Sequence, residues 1–352
     1  MADIRITNCH IHTFTQAHVP RRFPSVWLWP FRKVPLLIRF LAFLCRLPGW
    51  MGWADALDRL WRFQQEAGAK TQEQILNRLV PQYPQATRFV VLPLDMTMTG
   101  HGPVRAGLRE QHDELAALVR KYPAKLIPFA TCDPRAPGAA AEVRRCITEL
   151  GFRGLKLYPR TGFSPDHPVL MEQVYPLLAE RNLPVVSHCS RGGLRGRGIS
   201  ADQGDWLSRP TAFLPVMERF GALRINLAHF GGQTDWRAYA EGVADEDRNQ
   251  NWLIELREMI RSGLWPGLWT DISYTLFHFE DFAPFLRIFL EDPALARRVL
   301  FGSDFYMTRQ EALSERAVSF RLRMVLGETL FRQIAEANPA IWLGEVPDPG
   351  LP

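Results

Sequence analysis

The chain has 352 residues, 47% of them hydrophobic and 22% charged, with a formal net charge of +5. That length and apolar content allow a large core without disulfide or metal staples, as one barrel of about 250 residues with insertions or as two modest domains, and a single unit over 1–352 is expected. The small positive excess contains no long block of like charges, which excludes a nucleic-acid tail or a polybasic anchor and leaves at most an anionic substrate.

The first strand-like run, Asp3 to Cys9, ends on His10 and His12. Residues two apart on a strand point to the same side, so both imidazoles can reach one metal ion at the strand's exit. About eighty residues separate this run from the next, far more than a barrel repeat requires, which marks an insertion. Its segment 19–80 is rich in tryptophan, with Trp27, Trp29, Trp50, Trp53 and Trp61. These aromatics are expected to pack the insertion onto the body of the protein, with a membrane-surface helix as the alternative. Leaving from the end of the first strand, the insertion would serve as a lid or pocket wall. Its most apolar stretch, Val34 to Pro48, is too short to span a bilayer and carries two arginines, so no integral membrane segment is expected.

Seven further apolar runs follow at 88–94, 125–130, 154–158, 183–188, 224–229, 268–273 and 298–304. Helix-like segments fit between and after them: Ala139 to Leu150, stopped by Gly151, then Asp166 to Arg181, Leu207 to Phe220 and Tyr306 to Arg323. Eight short runs alternating with helices favour a (β/α)8 TIM barrel over an open doubly wound sheet, whose first turn would usually carry a glycine-rich phosphate loop. No such loop follows any run.

Five scattered cysteines, Cys9, Cys45, Cys132, Cys146 and Cys189, form no C-x-x-C pair and follow no secretory leader, so a reducing, cytoplasmic setting is expected. Cys9 and Cys189 flank candidate ligands but read as small buried thiols at strand ends.

His188 ends the fifth run, His229 the sixth and Asp304 the eighth, while Lys156 lies in the fourth. A barrel brings the C-terminal ends of all its strands to one mouth, so these distant residues become neighbours of His10 and His12. Neutral imidazoles with a carboxylate suit zinc or another divalent ion, on which water ionises near neutral pH. Asp304 has a competing reading as the N-cap of the helix that follows, a task Thr308 could equally perform.

The ordered set His10-Ile11-His12, Gly151 to Pro159 around Lys156, Ser187-His188, Ala228 to Gly232 around His229, and Phe301 to Asp304 resembles the motifs of the amidohydrolase superfamily. The nearest likeness is to its amidohydrolase-related branch of metal-dependent hydrolases and decarboxylases, whose C-terminal signature is similar to Asn338 to Gly344. The resemblance implies that His10, His12 and Asp304 hold a first metal. His188 would join that site in a mononuclear enzyme; in a binuclear one His188 and His229 would hold a second metal. With a single metal, His229 would orient or deprotonate the water. The resemblance also implies that Lys156 is an N-carboxylated bridge between two metals, as in dihydroorotases; the alternative is an ordinary lysine paired with a carboxylate near the barrel mouth.

Among the glycines after His188, Arg191 is the residue best placed to meet a substrate carboxylate or phosphate, with Arg160, just beyond the fourth strand, and Tyr158, at its end, as further candidates. Asp271, Tyr274, Phe277 and His278 could line the mouth without an assigned role. The leading expectation is a hydrolase in which a metal-activated water attacks the carbonyl of a small, anionic amide, lactone or ester, with Asp304 carrying the proton to the leaving group. The alternatives are a metal-dependent decarboxylase of a small carboxylated substrate and, more remotely, a barrel kept as a binding protein. The expected partner is the small molecule itself, with homodimerisation open.

Overall fold

The structure, a computed structural model, describes residues 4–23, 31, 34–47, 49–243, 250–275, 279–310 and 314–349. Trp27, Trp29, Phe277 and His278 lie outside these residues. Nine strand segments form eight parallel staves. They are β1 (Thr7–Ile11), β2 (Arg88–Val91), β3 (Leu126–Pro128) with β4 (Ala130–Thr131), β5 (Leu155–Leu157), β6 (Val185–Ser187), β7 (Ile225–Leu227), β8 (Leu268–Asp271) and β9 (Val299–Leu300). β3 and β4 are halves of one stave broken at Phe129, whose N–H donates to Val91 O at 3.1 Å. All pairings are parallel and follow chain order. The last stave closes on the first, as Cys9 N donates to Phe301 O and Asp304 N to His10 O, both at 2.8 Å, and Ile11 bridges Phe305. The chain is therefore a (β/α)8 barrel.

The regular ladders are shorter than the apolar runs because each chain leaves the sheet where its loop begins. Of 298–304, only Val299–Leu300 pairs in a ladder, and the rest bonds to β1 piecemeal. Several helices are also broken where proline intervenes. The segment expected as one helix over Asp166 to Arg181 contains a π turn at Leu170–Val174 before helix Tyr175–Glu180. Pro176 has no N–H to return to the preceding turn, and the widened turn accommodates it. The segment expected from Leu207 to Phe220 is split at Arg209, extended at ψ 156° ahead of Pro210. The expected helix Tyr306 to Arg323 is a 3-10 turn, Met307–Gln310, followed by helix Glu315–Arg332. Ser314 caps that helix by accepting from Ala317 N, so neither Asp304 nor Thr308 performs the task.

Two apolar layers hold the barrel. The inner one contains Cys9, Val90, Phe129, Val186, Trp269 and Leu300, with Trp342 stacked on Phe129 at 5.5 Å between ring centres. Helix Asn338–Trp342 is fastened by Asn338 Nδ2, which donates to Ala296 O and Val299 O, and by Arg224 Nε donating to Trp342 O. The outer layer lies between staves and helices and includes Ile11, Leu155 and Leu157. On β1 the side alternation breaks. Cys9 is inner and Ile11 outer, yet His10 also faces inward, because pairing with β2 shifts register between Asn8 and Ile11. Such a bulge re-aims side chains at a barrel rim.

Gly302 sets the distance between the last stave and the first. An alanine there would put its Cβ 2.8 Å from His10 Cβ and 3.3 Å from Ser273 Cβ. Gly302→Ala is expected to lower stability by about 1–3 kcal/mol through overpacking, read as a lower urea midpoint. An unchanged midpoint would mean that β1 yields without strain.

The insertion forms two helices, Pro35–Arg46 and Met51–Ala67, before helix Gln72–Leu79 rejoins the barrel. The tryptophans described there, Trp50, Trp53 and Trp61, do not pack it onto the barrel as expected. Trp50 and Trp53 are exposed, and Trp61 is half-buried beneath Arg39. The link to the barrel runs instead through Phe63, whose ring lies 5.5 Å from that of Tyr306.

Candidate metal centre

His10, at the penultimate position of β1, and His12, just past its end, lie with ring centres 5.2 Å apart. Lys156 is central in β5, His188 follows β6, His229 follows β7 and Asp304 lies beyond β9. All six line one cavity of about 350 Å³ at the barrel mouth, together with Phe14, Leu94, Tyr158, Arg191, Leu194 and Met307. Burial is almost complete: His10 is 0% exposed, Lys156 1% and Asp304 6%.

The far nitrogen of three imidazoles is committed to the protein. His10 Nδ1 donates to Asp271 Oδ2 at 3.0 Å, His12 Nδ1 to Leu92 O at 2.7 Å, and His229 Nδ1 to Ser273 O at 3.2 Å. These bonds fix the tautomer and turn each Nε2 lone pair toward the cavity. His12 Nε2 stands 3.0 Å and His10 Nε2 3.7 Å from Asp304 Oδ1. Donors of one ion with bonds of about 2.0–2.2 Å at about 90–110° stand about 3.0–3.6 Å apart. Asp304 Oδ1 is buried and receives no well-aligned hydrogen bond. Since the His12 proton is on Nδ1, two electron-rich atoms face each other at 3.0 Å. A cation beside both would relieve that arrangement, so the residues present fit a metal ion. A second pair stands next to the first, with His188 Nδ1 3.2 Å from His229 Nε2.

The electrostatics agree with this donor set. Burial, then the charge of Lys156, pushes the His10 imidazole down to about 3. His188 and His229 are also driven below their ordinary value, burial being the main cause. Burial works to raise the Asp304 carboxyl, whereas a proton on His12 or His10 beside it would draw it down, to about 2. At neutral pH His10, His188 and His229 are thus neutral and Asp304 is ionised, the forms that bind metals. Lys156 Nζ donates to His10 Nε2 at 3.2 Å, and burial lowers its amine to about 8.

Backbone conformation at the mouth is unusual. His229, Tyr274 and Asp304 have φ of 73°, 60° and 61°, a left-handed region that costs a non-glycine residue energy. Each is pinned, His229 N to Asp271 Oδ1, Tyr274 N to Ser303 O and Asp304 N to His10 O. Strain held in this way concentrates at functional sites.

Asp271 is the residue to which sequence reasoning gave no role. Completely buried, it accepts from His10 Nδ1, from Asn226 Nδ2 at 2.8 Å, and from the backbone of His229 and Ser273. It meets His10 on the nitrogen opposite the cavity, so it orients the ring. Its place at the end of β8 is the signal that could have found it, the same criterion that selected His188 and His229.

The substrate candidates divide. Tyr158 lines the cavity, stacked on His188 at 4.2 Å, and its hydroxyl accepts from Leu194 N. Arg191 also lines it, but is bonded to Asp235 at 3.1 Å and lies over Trp252. Arg160 does not reach the mouth. It is 3% exposed and paired with Asp205, because Gly204 lets its stem pass beneath helix Ala201–Ser208. Cys9 and Cys189 are buried thiols whose pKa burial raises, so they read as packing.

A second cluster, His112, Glu142 and Cys146, has metal-ligand composition but is internally satisfied. His112 Nε2 accepts from Thr131 N and its Nδ1 donates to Glu142, which Arg145 also holds at 2.7 Å. Burial raises the Glu142 pKa, but His112 and Arg145 outweigh it and set it at about 2, against an ordinary 4.5. The folded value is the lower, so this stabilisation is complete above about 4.5 and disappears as pH falls toward 2. The difference in urea midpoint between the native chain and Glu142→Gln is expected to shrink over that interval. A constant difference would assign the effect to packing.

The chain belongs to the amidohydrolase family, whose profile matches residues 8–344. No curated protein sequence matches it. Among solved structures it is similar to 5-carboxyvanillate decarboxylase from Sphingomonas paucimobilis, with 15% identity, a TM-score of 0.56, and 97% of this chain and 99% of that one covered. A probable 2-pyrone-4,6-dicarboxylic acid hydrolase from Acinetobacter baumannii, with citric acid bound, matches at 14% identity and a TM-score of 0.57, covering 97% and 100%. A 5-carboxyvanillate decarboxylase from Novosphingobium aromaticivorans, complexed with manganese and 4-hydroxy-3-methoxy-5-nitrobenzoic acid, matches at 15% and 0.55, covering 97% and 96%. At these identities the likeness establishes the fold.

Proposed function

We propose that this protein is a metal-dependent hydrolase of a small anionic amide, lactone or ester. The reading is carried by one observation, the convergence of His10, His12, His188, His229 and Asp304 on one buried cavity, with His12 Nε2 3.0 Å and His10 Nε2 3.7 Å from Asp304 Oδ1. His10, His12 and Asp304 would hold a first ion, zinc or another divalent metal, and His188 with His229 a second. A bound divalent ion supplies Lewis acidity and lowers the pKa of water. Asp304 accepts the proton of the attacking water and returns it to the leaving group, and His229, fixed through Ser273, orients that water. Arg191 and Tyr158 meet the substrate's anionic group. Carboxylation of Lys156 would turn a cation beside the ligands into an anion, and burial favours the neutral amine this addition requires. The unit spans 1–352 with 19–80 as an insertion at its mouth.

One observation favours decarboxylation instead. Lys156 Nζ stands 3.2 Å from His10 Nε2, and a cation kept at that position would oppose a second ion. The similar 5-carboxyvanillate decarboxylase acts on a carboxylated compound and the similar probable hydrolase has citric acid bound, consistent with either outcome.

Dialysis against a chelator is expected to abolish turnover, and a divalent ion to restore it. Metal analysis together with anomalous scattering should then give two ions and density for a carbamate on Lys156. One ion, a bare amine and carbon dioxide as product would replace hydrolysis by decarboxylation, and full activity without metal would overturn both.

A further inference from the structure

The face that the insertion presents to solvent is apolar. On helix Pro35–Arg46, Leu36 and Phe40 are followed by Phe43 and, just past the end, Leu47, at helical spacing and 72%, 57%, 55% and 68% exposed. The buried side toward the next helix is made of smaller groups, Ile38, Ala42 and Ala54. A helix on a water-soluble surface has the opposite arrangement. Trp50 and Trp53, 62% and 71% exposed, extend the face beyond the helix end. Nine of the seventeen exposed large hydrophobic side chains among the described residues fall between Val34 and Trp53, so the apolar surface is one patch rather than scatter.

The surrounding charge is distinctive too. Val19 to Phe63 carries eight lysines and arginines against two aspartates, a net of +6 in a chain whose total is +5. The excess positive charge of the chain is therefore concentrated in the sequence segment that carries the apolar patch. The two arginines of the first helix are held within the insertion, Arg46 by Asp58 and Arg39 over Trp61 at 4.9 Å, which leaves the stripe between them uninterrupted.

We propose that this face docks on the surface of an anionic lipid bilayer. Aromatic and aliphatic side chains flanked by arginine bind the boundary between headgroups and acyl chains, and each nearby cation adds to the attraction. At 12 residues, helix Pro35–Arg46 is about 18 Å long, enough to lie in that boundary and too short to cross it. A second copy of the chain fits the charge less well, because a two-fold contact would set the basic excess against itself. Docking would also have a path to the site. Helix Met51–Ala67 leans through Phe63 on Tyr306, whose neighbour Met307 lines the cavity. The proposal rests on the insertion alone and is independent of the chemistry at the mouth.

The test is sedimentation of the full chain with vesicles of phosphatidylcholine, with and without phosphatidylglycerol. The chain is expected to pellet with the mixed vesicles only, several-fold less at high salt, and its tryptophan emission to shift to shorter wavelength. The double variant Phe40→Ser, Trp53→Ser should bind about tenfold more weakly or less, with unchanged circular dichroism. Trp50→Ser alone provides the same reading should the double variant fold poorly. Failure to pellet with either vesicle, or pelleting that the variants leave unchanged, would overturn the proposal. A dimer in sedimentation velocity that these variants dissociate would overturn it in favour of a second copy.

Discussion

Replacing His12 by alanine is expected to lower bound metal and to reduce turnover by at least about 10³-fold, the scale of losing a principal electrostatic stabiliser. His12 lies one residue past β1, so its side chain can be removed without touching a ladder hydrogen bond. What is lost is an Nε2 donor 3.0 Å from Asp304 Oδ1, held in place by Leu92 O and by the edge of Phe14 at 5.6 Å. Metal content, turnover and circular dichroism together check the result. A folded variant with full metal and full activity would remove His12 from the site.

Asp271→Asn is expected to act without touching substrate. The carboxylate accepts from three side chains, His10, Asn226 and Ser273, and from two backbone N–H groups, and an amide can offer only one acceptor oxygen to them. Loss of charge-assisted bonds at a buried site costs about 1.5–3 kcal/mol, read from urea unfolding. The His10 ring would also lose the partner that sets its tautomer, and removal of such a partner costs about 10- to 100-fold in metal affinity or activity. The pH dependence separates this role from simple packing. Burial tends to raise the Asp271 pKa, but His10 and its other donors hold it far below the usual carboxylate range. Its contribution is thus fully present above about 3.9, the unfolded value, and is lost as the solution becomes more acidic. The stability gap between native chain and variant should be widest near neutrality and narrow below about pH 4. A gap independent of pH, with metal affinity unchanged, would reduce Asp271 to a space-filling residue.

Much of the barrel was legible from sequence because strand ends carry two signals at once. The run 183–188 is apolar where it is buried and ends in a histidine where the mouth opens, and 224–229 repeats this. Arg160 was misplaced by the same logic, since nearness to a strand end says nothing about which way a long side chain turns. Trp50 and Trp53 of the insertion depart from expectation for a related reason. Aromatic residues usually mark packing, and only the helix pair shows that Ile38, Ala42 and Ala54 take the buried side while Trp50 and Trp53 remain in solvent.

The sequence by itself determined the staves, their order and the residue types at their ends, because burial of a parallel sheet on both faces requires apolar runs and gathers most polar residues at the rim. It also determined that His10 and His12 share a side. Which side was decided by the tertiary structure, through the shift in pairing between β1 and β2 that turns both rings inward. Asp271 likewise gained its meaning only when β8 came beside β7 and the mouth closed on the first stave. A hydrogen bond spanning 261 positions, from His10 to Asp271, depends on closure of the whole barrel, and no local pattern in either segment encodes it.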